Sequence, residues 1–382
     1  MRFASVDVLA AGPPSVDPYD PAASAWALAS GFRARGATVR VLHPGGPADG
    51  TPPAGVTSVP LTPARRHPGA AIEPAELAAA AGRRLAPGAE LVVRDPSGLG
   101  SLGVSRKTNG PPTIVGLVRR IELATFDEER SSRRPVGFVD RLDTWRDRRS
   151  VRRLERLALG EADRLFCDET ELAKSIAKEY ALPERKLRPV ATAVRVPSEL
   201  PSREAARGTF KLPLDVPVVV ALASADRAEA AGLDRVREAF HRVRSLFVGV
   251  RLVVVGASVP VEPGVQSHPE RDLSTFANAL VAGDVAVFAS RLPGFDPGIA
   301  LAQAVGCPVL AYPKSAFPTP PGGAVRTPPS EDDGDAASSL AELLADPALR
   351  REVARSGREY ATQFVPERVA ARIEEESARR AG

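Results

Sequence analysis

Short, mainly apolar runs alternate along this chain with longer stretches in which apolar positions return every three or four residues. Residues 3–9, 38–42, 90–93, 113–118 and 164–167 are such runs in the first half, and 217–223, 250–256, 284–289 and 308–312 in the second. Runs of this length, separated by helical patterns, predict parallel strands covered by helices on both faces. Asp20-Pro21 predicts a helix start, and Gly36 its stop after about Arg35. Asp is a favoured cap, Pro suits the first helical position, and Gly takes the left-handed residue past the end. Over 234–246, Val236, Ala239, Phe240 and Val243 share one helix face. Residues 333–344, 347–362 and 366–379 read as further helices, the last of them polar and amphipathic. Residues 44–74, rich in Pro, Gly and Thr, read as a long surface connection, and 196–207 as a linker.

This order predicts an α/β protein of two Rossmann-like, doubly wound parallel-sheet domains facing each other across a cleft. A length of 382 residues suits two domains better than one. They are placed at 1–195 and 196–365, with a terminal helix in 366–382 packing back toward the first. Sheets of this kind bind ligands at the carboxyl ends of their strands.

Composition excludes more than it identifies. With 43% hydrophobic and 26% charged residues the chain is expected to fold as a globular protein rather than stay disordered. A net charge of +4 is mild for this length and does not by itself suggest nucleic acid. Cys167 and Cys307 lie far apart in apolar runs and predict buried, reduced thiols. His43, His67, His241 and His268 form no cluster, so neither a metal site nor a resident cofactor is expected. No signal-peptide pattern opens the chain and no apolar run is long enough to cross a bilayer. A cytoplasmic protein is expected, with peripheral membrane association left open.

One stretch breaks the even charge. From Arg130 to Arg156 there are ten arginines against three aspartates and one glutamate, interleaved with Phe138, Leu142, Trp145, Val151, Leu154 and Leu157. A solvated helix face laced with ion pairs accounts for this. So does a basic amphipathic helix lying on an anionic membrane, or one that binds a partner protein. Nucleic acid fits least, since no stacking aromatics accompany the charges.

Three segments carry a family resemblance. Residues 148–190 run helix, strand, capped helix and then "YALPERKLRPV". Residues 233–257 pair an amphipathic helix with the strand "RLVVVGA", and residues 282–312 read "AGDVAVFASRLPGFDPGIALAQAVGCPVLAY". Together they resemble the family-4 (group 1) glycosyltransferases, the third segment being similar to that family's donor-site motif. The resemblance implies a GT-B fold and a nucleoside-diphosphate sugar as donor substrate. It also implies a carbohydrate or lipid-linked acceptor and a hexosyltransferase-type reaction with retention of anomeric configuration.

The departures from the family pattern are specific. Its two donor-site glutamates, eight positions apart, fall here on Pro293 and Leu301. The Arg and Lys that clamp the diphosphate fall at about Asp226, beside Arg227, and on Ala231. The glycine pair after the first strand is replaced by "GPPSVDPYDP" at residues 12–21. Each charge-assisted bond to phosphate is worth roughly 1.5–3 kcal/mol, so two lost clamps would weaken donor binding on the order of 10²- to 10⁴-fold.

The donor-side candidates are therefore Ser224, Arg227, Ser290, Arg291, Gly294, Phe295, Asp296 and Gly298. Arg227 or Arg291 could restore a phosphate clamp. Asp296 is either a plain helix cap or a carboxylate that accepts from ribose or sugar hydroxyls. Asp20, Arg133, Arg134 and Trp145 are candidates for the acceptor or membrane side. His43 and His268 read as loop residues. Two functions follow: an active transferase, or a degenerate GT-B pseudoenzyme that serves another glycosyltransferase as partner or scaffold.

Overall fold

The computed structural model of the chain describes residues 2–20, 22–62, 73–94, 101–103, 112–118, 138–168, 170–223, 232–290, 295–313 and 321–378. They form two compact units. Unit 1 comprises residues 1–15, 21–193 and 365–382, and unit 2 comprises residues 16–20 and 194–364.

Unit 1 is built on a seven-stranded, wholly parallel sheet of order β3-β2-β1-β4-β5-β6-β7. The strands are β1 (Ser5–Leu9), β2 (Thr38–Pro44), β3 (Val56–Leu61), β4 (Leu91–Arg94), β5 (Thr113–Val118), β6 (Arg164–Cys167) and β7 (Leu187–Pro189). Helices α1 (Ala23–Ala34), α2 (Glu73–Arg84), α3 (Phe138–Glu161) and α4 (Thr170–Tyr180) connect them, and the carboxyl-terminal helix α11 (Pro366–Ala378) returns to this unit. One core, with Trp26, Leu28 and Phe32 of α1 and Val369, Ala370 and Ile373 of α11, covers one face of the sheet. A second core, with Leu77, Ile114, Leu165 and Ile176, covers the other. Burial on both faces is why these strands read as continuous apolar runs. One exception is Asp7 in β1, fully buried. It accepts two bonds from Arg40 of β2 at 2.9 and 2.7 Å and one from the Ala86 N–H at 2.7 Å, so the buried charge is matched on every side. Gly31 lets α1 and α11 touch backbone to backbone: a Cβ there would lie 2.2 Å from the Pro366 carbonyl oxygen.

Unit 2 has a five-stranded parallel sheet of order β10-β9-β8-β11-β12. Its strands are β8 (Val218–Leu222), β9 (Arg251–Val255), β10 (Val265–His268), β11 (Val285–Phe288) and β12 (Val309–Ala311). Its helices are α5 (Arg203–Thr209), α6 (Leu233–Arg244), α7 (Leu273–Ala282), α8 (Pro297–Val305), α9 (Asp333–Ala345) and α10 (Pro347–Ala361). The apolar face expected on α6 is buried in the core at Val236, Ala239, Phe240 and Val243.

Four local expectations need correction. Residues 44–74 are not one connection, since β3 lies within them; it is an edge strand, paired only with β2 among the described strands, and so tolerates Pro60. His268 closes β10 rather than sitting on a loop. The linker contains α5, whose Arg207 is 1% exposed and bonds the Asp284 carboxylate and four carbonyls. Finally, α1 starts after Ala22, which offers no side-chain cap, so Asp20 does not cap it.

Candidate functional site

Each sheet reverses its strand order once, beside β1 and β4 in unit 1 and beside β8 and β11 in unit 2, and ligands of open α/β sheets bind at such reversals. In unit 1 the carboxyl edge is closed by internal pairing. Arg94, at the end of β4, is 3% exposed and ion-paired to Glu161 at 2.6 Å; burial pulls its pKa down and Glu161 opposes that. Glu161 also accepts from the Leu102 N–H at 2.8 Å. His43 is a buried residue of β2, not a loop residue, with its ring edge-on to Trp26. Its Nδ1 lies 2.7 Å from the Pro44 carbonyl and its Nε2 2.8 Å from the Ser58 hydroxyl. The neutral ring, donating from Nδ1 and accepting at Nε2, satisfies both contacts, and burial lowers its pKa.

In unit 2 the same edge carries the donor-side candidates. Gly232, just before α6, has φ +67, and a Cβ there would lie 2.1 Å from the Ala289 carbonyl oxygen, so only glycine lets α6 start against the end of β11. Ser290 follows β11 and is half-buried. Phe295 turns its ring to Phe364, 5.3 Å between centroids. Asp296 is the cap of α8: its Oδ1 accepts from the Gly298 N–H at 2.8 Å, and Pro297 fills the first helical position. A helix start attracts an anion through its free N–H groups. Here the first position has no N–H and the second is bonded to a carboxylate. Leu301, where the family has its second glutamate, is fully buried in the core-facing side of α8.

The segment at residues 16–20 adds what sequence reasoning missed. The Val16 carbonyl accepts from the Leu273 N–H at 2.9 Å, filling an orphan donor at the start of α7. Asp17 accepts from Arg271 at 2.9 and 2.6 Å and from the Tyr19 N–H at 2.8 Å. Burial pushes its carboxyl pKa up, opposed by the Tyr19 N–H and by Arg271. The Tyr19 ring packs on Phe276, and its hydroxyl lies over Gly298, where a Cβ would come within 2.1 Å of it. Asp20 closes the turn through its N–H to the Asp17 carbonyl, at 3.1 Å. Nothing in the sequence pairs Asp17 with Arg271, 254 residues away.

Arg235, on the first turn of α6, is a second cation of this edge that the sequence did not single out. It stacks over the Tyr312 ring at 4.0 Å and ion-pairs with Glu331 at 2.7 Å and Asp333 at 3.2 Å. Its charge is already matched by carboxylates. Along the described edge Asp17 pairs with Arg271, Glu331 and Asp333 pair with Arg235, and Asp272 and Asp296 cap the starts of α7 and α8. Ser224, Arg227, Arg291 and Gly294 lie outside the described residues, as do Arg133 and Arg134. Cys167 and Cys307 are both buried, and burial pushes each thiol up to about 12, so neither is a nucleophile at neutral pH. Among the described residues, no group of three His, Cys, Asp or Glu side chains could hold a metal ion.

Neither a protein-family model nor a curated protein sequence matches this chain. Solved structures do. Sucrose-phosphate synthase from Thermosynechococcus elongatus is 16% identical with a TM-score of 0.71, over 97% of both chains. HepE from Anabaena, solved with UDP and glucose, is 13% identical with a TM-score of 0.68, over 98% of this chain and 99% of that one. The N-terminal domain of trehalose-6-phosphate phosphatase from Candida albicans is 11% identical with a TM-score of 0.69, over 98% and 97%. Similarity over nearly the whole length, together with the two parallel sheets, gives this chain the GT-B fold of glycosyltransferases.

Proposed function

We propose that this protein is a GT-B glycosyltransferase that takes a nucleoside-diphosphate sugar and passes the sugar to a carbohydrate or lipid-linked acceptor. The observation that carries this reading is the end-to-end similarity to a protein solved with UDP and glucose, supported by the donor-type segment at residues 282–312. Retention belongs to the reading. The bond from the anomeric carbon to the diphosphate breaks as the acceptor oxygen bonds on the same face, and the acceptor proton passes to the departing phosphate oxygen. A cytoplasmic location belongs to it too, with peripheral membrane contact through the basic stretch from Arg130 to Arg156. The diphosphate would rely on side chains such as Arg227 and Arg291, because the start of α8 offers it little.

That last point favours a second reading, a catalytically degenerate partner or scaffold for another glycosyltransferase. Asp296 and Pro297 close the start of α8 to anions, and Tyr19 covers Gly298. A phosphatase's N-terminal domain among the similar structures supports the view that this fold does not by itself specify transfer. Calorimetric titration with UDP, GDP, ADP and dTDP separates the two. Saturable binding that is lost in Arg227→Ala or Arg291→Ala supports the transferase; no heat at millimolar nucleotide sinks it and leaves the scaffold.

A further inference from the structure

Residues 16–20 belong to unit 2 and lie against the starts of α7 and α8, at the carboxyl edge of its sheet. Three contacts hold this short strap. The Val16 carbonyl accepts from the Leu273 N–H, at the first position of α7, at 2.9 Å. Oδ2 of Asp17 accepts from Nε and Nη2 of Arg271 at 2.9 and 2.6 Å, while Oδ1 accepts from the Tyr19 N–H at 2.8 Å. The Tyr19 ring packs on the buried Phe276, 5.7 Å between centroids, with its hydroxyl over Gly298. A side chain at position 298 would collide with that hydroxyl, so the second position of α8 is shaped for the strap. Arg235 and Arg271 differ in how open they are. The Arg235 side chain is 13% exposed and gripped by two carboxylates, whereas Arg271 is 32% exposed, so ligand can reach it from solvent. Among the carboxylates next to Arg271, Asp272 is turned to the Thr275 N–H and hydroxyl at 2.9 and 2.6 Å, and Glu270 is exposed. Burial pushes the Asp17 pKa up and nearby Asp20 adds to this, with the Tyr19 N–H and Arg271 opposing. The strap therefore keeps a carboxylate in a place that disfavours its charge.

We propose that residues 16–20 are a self-inhibitory strap on the donor edge, and that a nucleoside diphosphate displaces it by taking Arg271 from Asp17. The inference rests on the transferase reading; it adds Arg271 to the diphosphate contacts and a strap-opening step to binding. Strand ends and helix starts beside the reversal at β8 and β11 are where an open α/β sheet receives its ligand, and the strap covers one of them. The exchange conserves the pairing of Arg271: one carboxylate leaves the guanidinium as a phosphate oxygen arrives. The Nε and Nη2 edge that grips the Asp17 oxygen suits a phosphate oxygen as well. Once released, Asp17 regains water and Tyr19 uncovers Gly298. A closed strap lowers the apparent affinity for nucleotide in proportion to the fraction of molecules in which it is open.

The test titrates UDP calorimetrically into the full chain, Asp17→Asn and Arg271→Gln, and follows amide exchange with and without UDP. Asparagine keeps the shape of Asp17 and removes the charge that holds Arg271. Loss of a charge-assisted bond shifts an equilibrium on the order of 10- to 100-fold, so Asp17→Asn should bind UDP tighter by up to that factor. Arg271→Gln also loosens the strap but takes away the guanidinium, and should show no such gain. Leu273 reports the strap without reference to affinity, because its N–H is bonded to the Val16 carbonyl. Its amide should exchange faster in both variants, and in the parent saturated with UDP, while the amides of β8 and β9 keep their protection. Equal UDP affinity in the parent and Asp17→Asn, equal gains in the two variants, or slower Leu273 exchange with UDP would each overturn the strap and leave the transferase reading standing. No heat from either the parent or Asp17→Asn overturns both.

Discussion

Asp296 is where the two uses of a helix start can be told apart, because its carboxylate caps α8 by taking the Gly298 N–H, a donor that an anion would otherwise use. Replacing it with alanine removes the bond from the Gly298 N–H at 2.8 Å. Losing such a cap costs about 1 kcal/mol, or roughly 2–4 °C in melting temperature for a domain of this size. Serine keeps a neutral cap, so Asp296→Ser should melt within about 1 °C of the parent. The charge behaves differently. An anion at a helix start gains about 0.3–1 kcal/mol from the dipole, and up to ~2 when partly buried. Removing the carboxylate ends its repulsion of a diphosphate and gives the helix back that attraction. Together these amount to about 1–2 kcal/mol, a roughly 5- to 30-fold tighter complex with UDP for Asp296→Ser. Calorimetric unfolding and UDP titration of the three proteins measure both quantities side by side. Weaker UDP–sugar binding in Asp296→Ser, at unchanged stability, would refute the capping account and make the carboxylate a ligand to sugar or ribose hydroxyls.

Arg207→Met should be far more damaging, since it leaves Asp284 and four carbonyls without their buried donor. Breaking a buried pair costs about 3–5 kcal/mol, a fall of roughly 6–20 °C in a thermal scan. Gly298→Ala must push the Tyr19 hydroxyl away from α8. Faster amide exchange over residues 16–20 is expected, with part of the protection recovered when Tyr19→Phe is added. His43 gives a pH dependence: burial holds its folded pKa below the ordinary 6.5, so an unfolded chain takes the proton first. Its stabilisation is complete above pH 6.5 and is lost as the pH falls through the folded value. Denaturant midpoints should decline on that acidic side, and His43→Gln should flatten the decline.

Much of the fold was legible because buried parallel strands leave a local mark. Residues 113–118 and 164–167 read as strands with the bounds the structure has, since both faces of each are covered and their apolar runs are continuous. The cap at Asp296-Pro297 was legible too, because Asp before Pro acts through its nearest neighbours in the chain. Strand β3 was not, as an edge strand with Pro60 and half-exposed residues carries no continuous apolar run. Asp20-Pro21 misled for the opposite reason. The local pattern of a cap is present, but residues 16–20 turn to unit 2, and α1 begins after Ala22 instead.

By itself, then, the sequence determined the parallel α/β architecture, the two-sheet repeat and the carboxylate at the start of α8, all set by neighbours a few positions apart. Only the tertiary structure decided what that edge can hold. It brought Asp17 to Arg271 and Tyr19 to Gly298, matched Arg235 with Glu331 and Asp333, and turned Glu155 inward to the Tyr180 hydroxyl. Such pairings depend on the distance between side chains after folding. A charge far away in the chain can then answer or expose a neighbour that the local pattern leaves undecided.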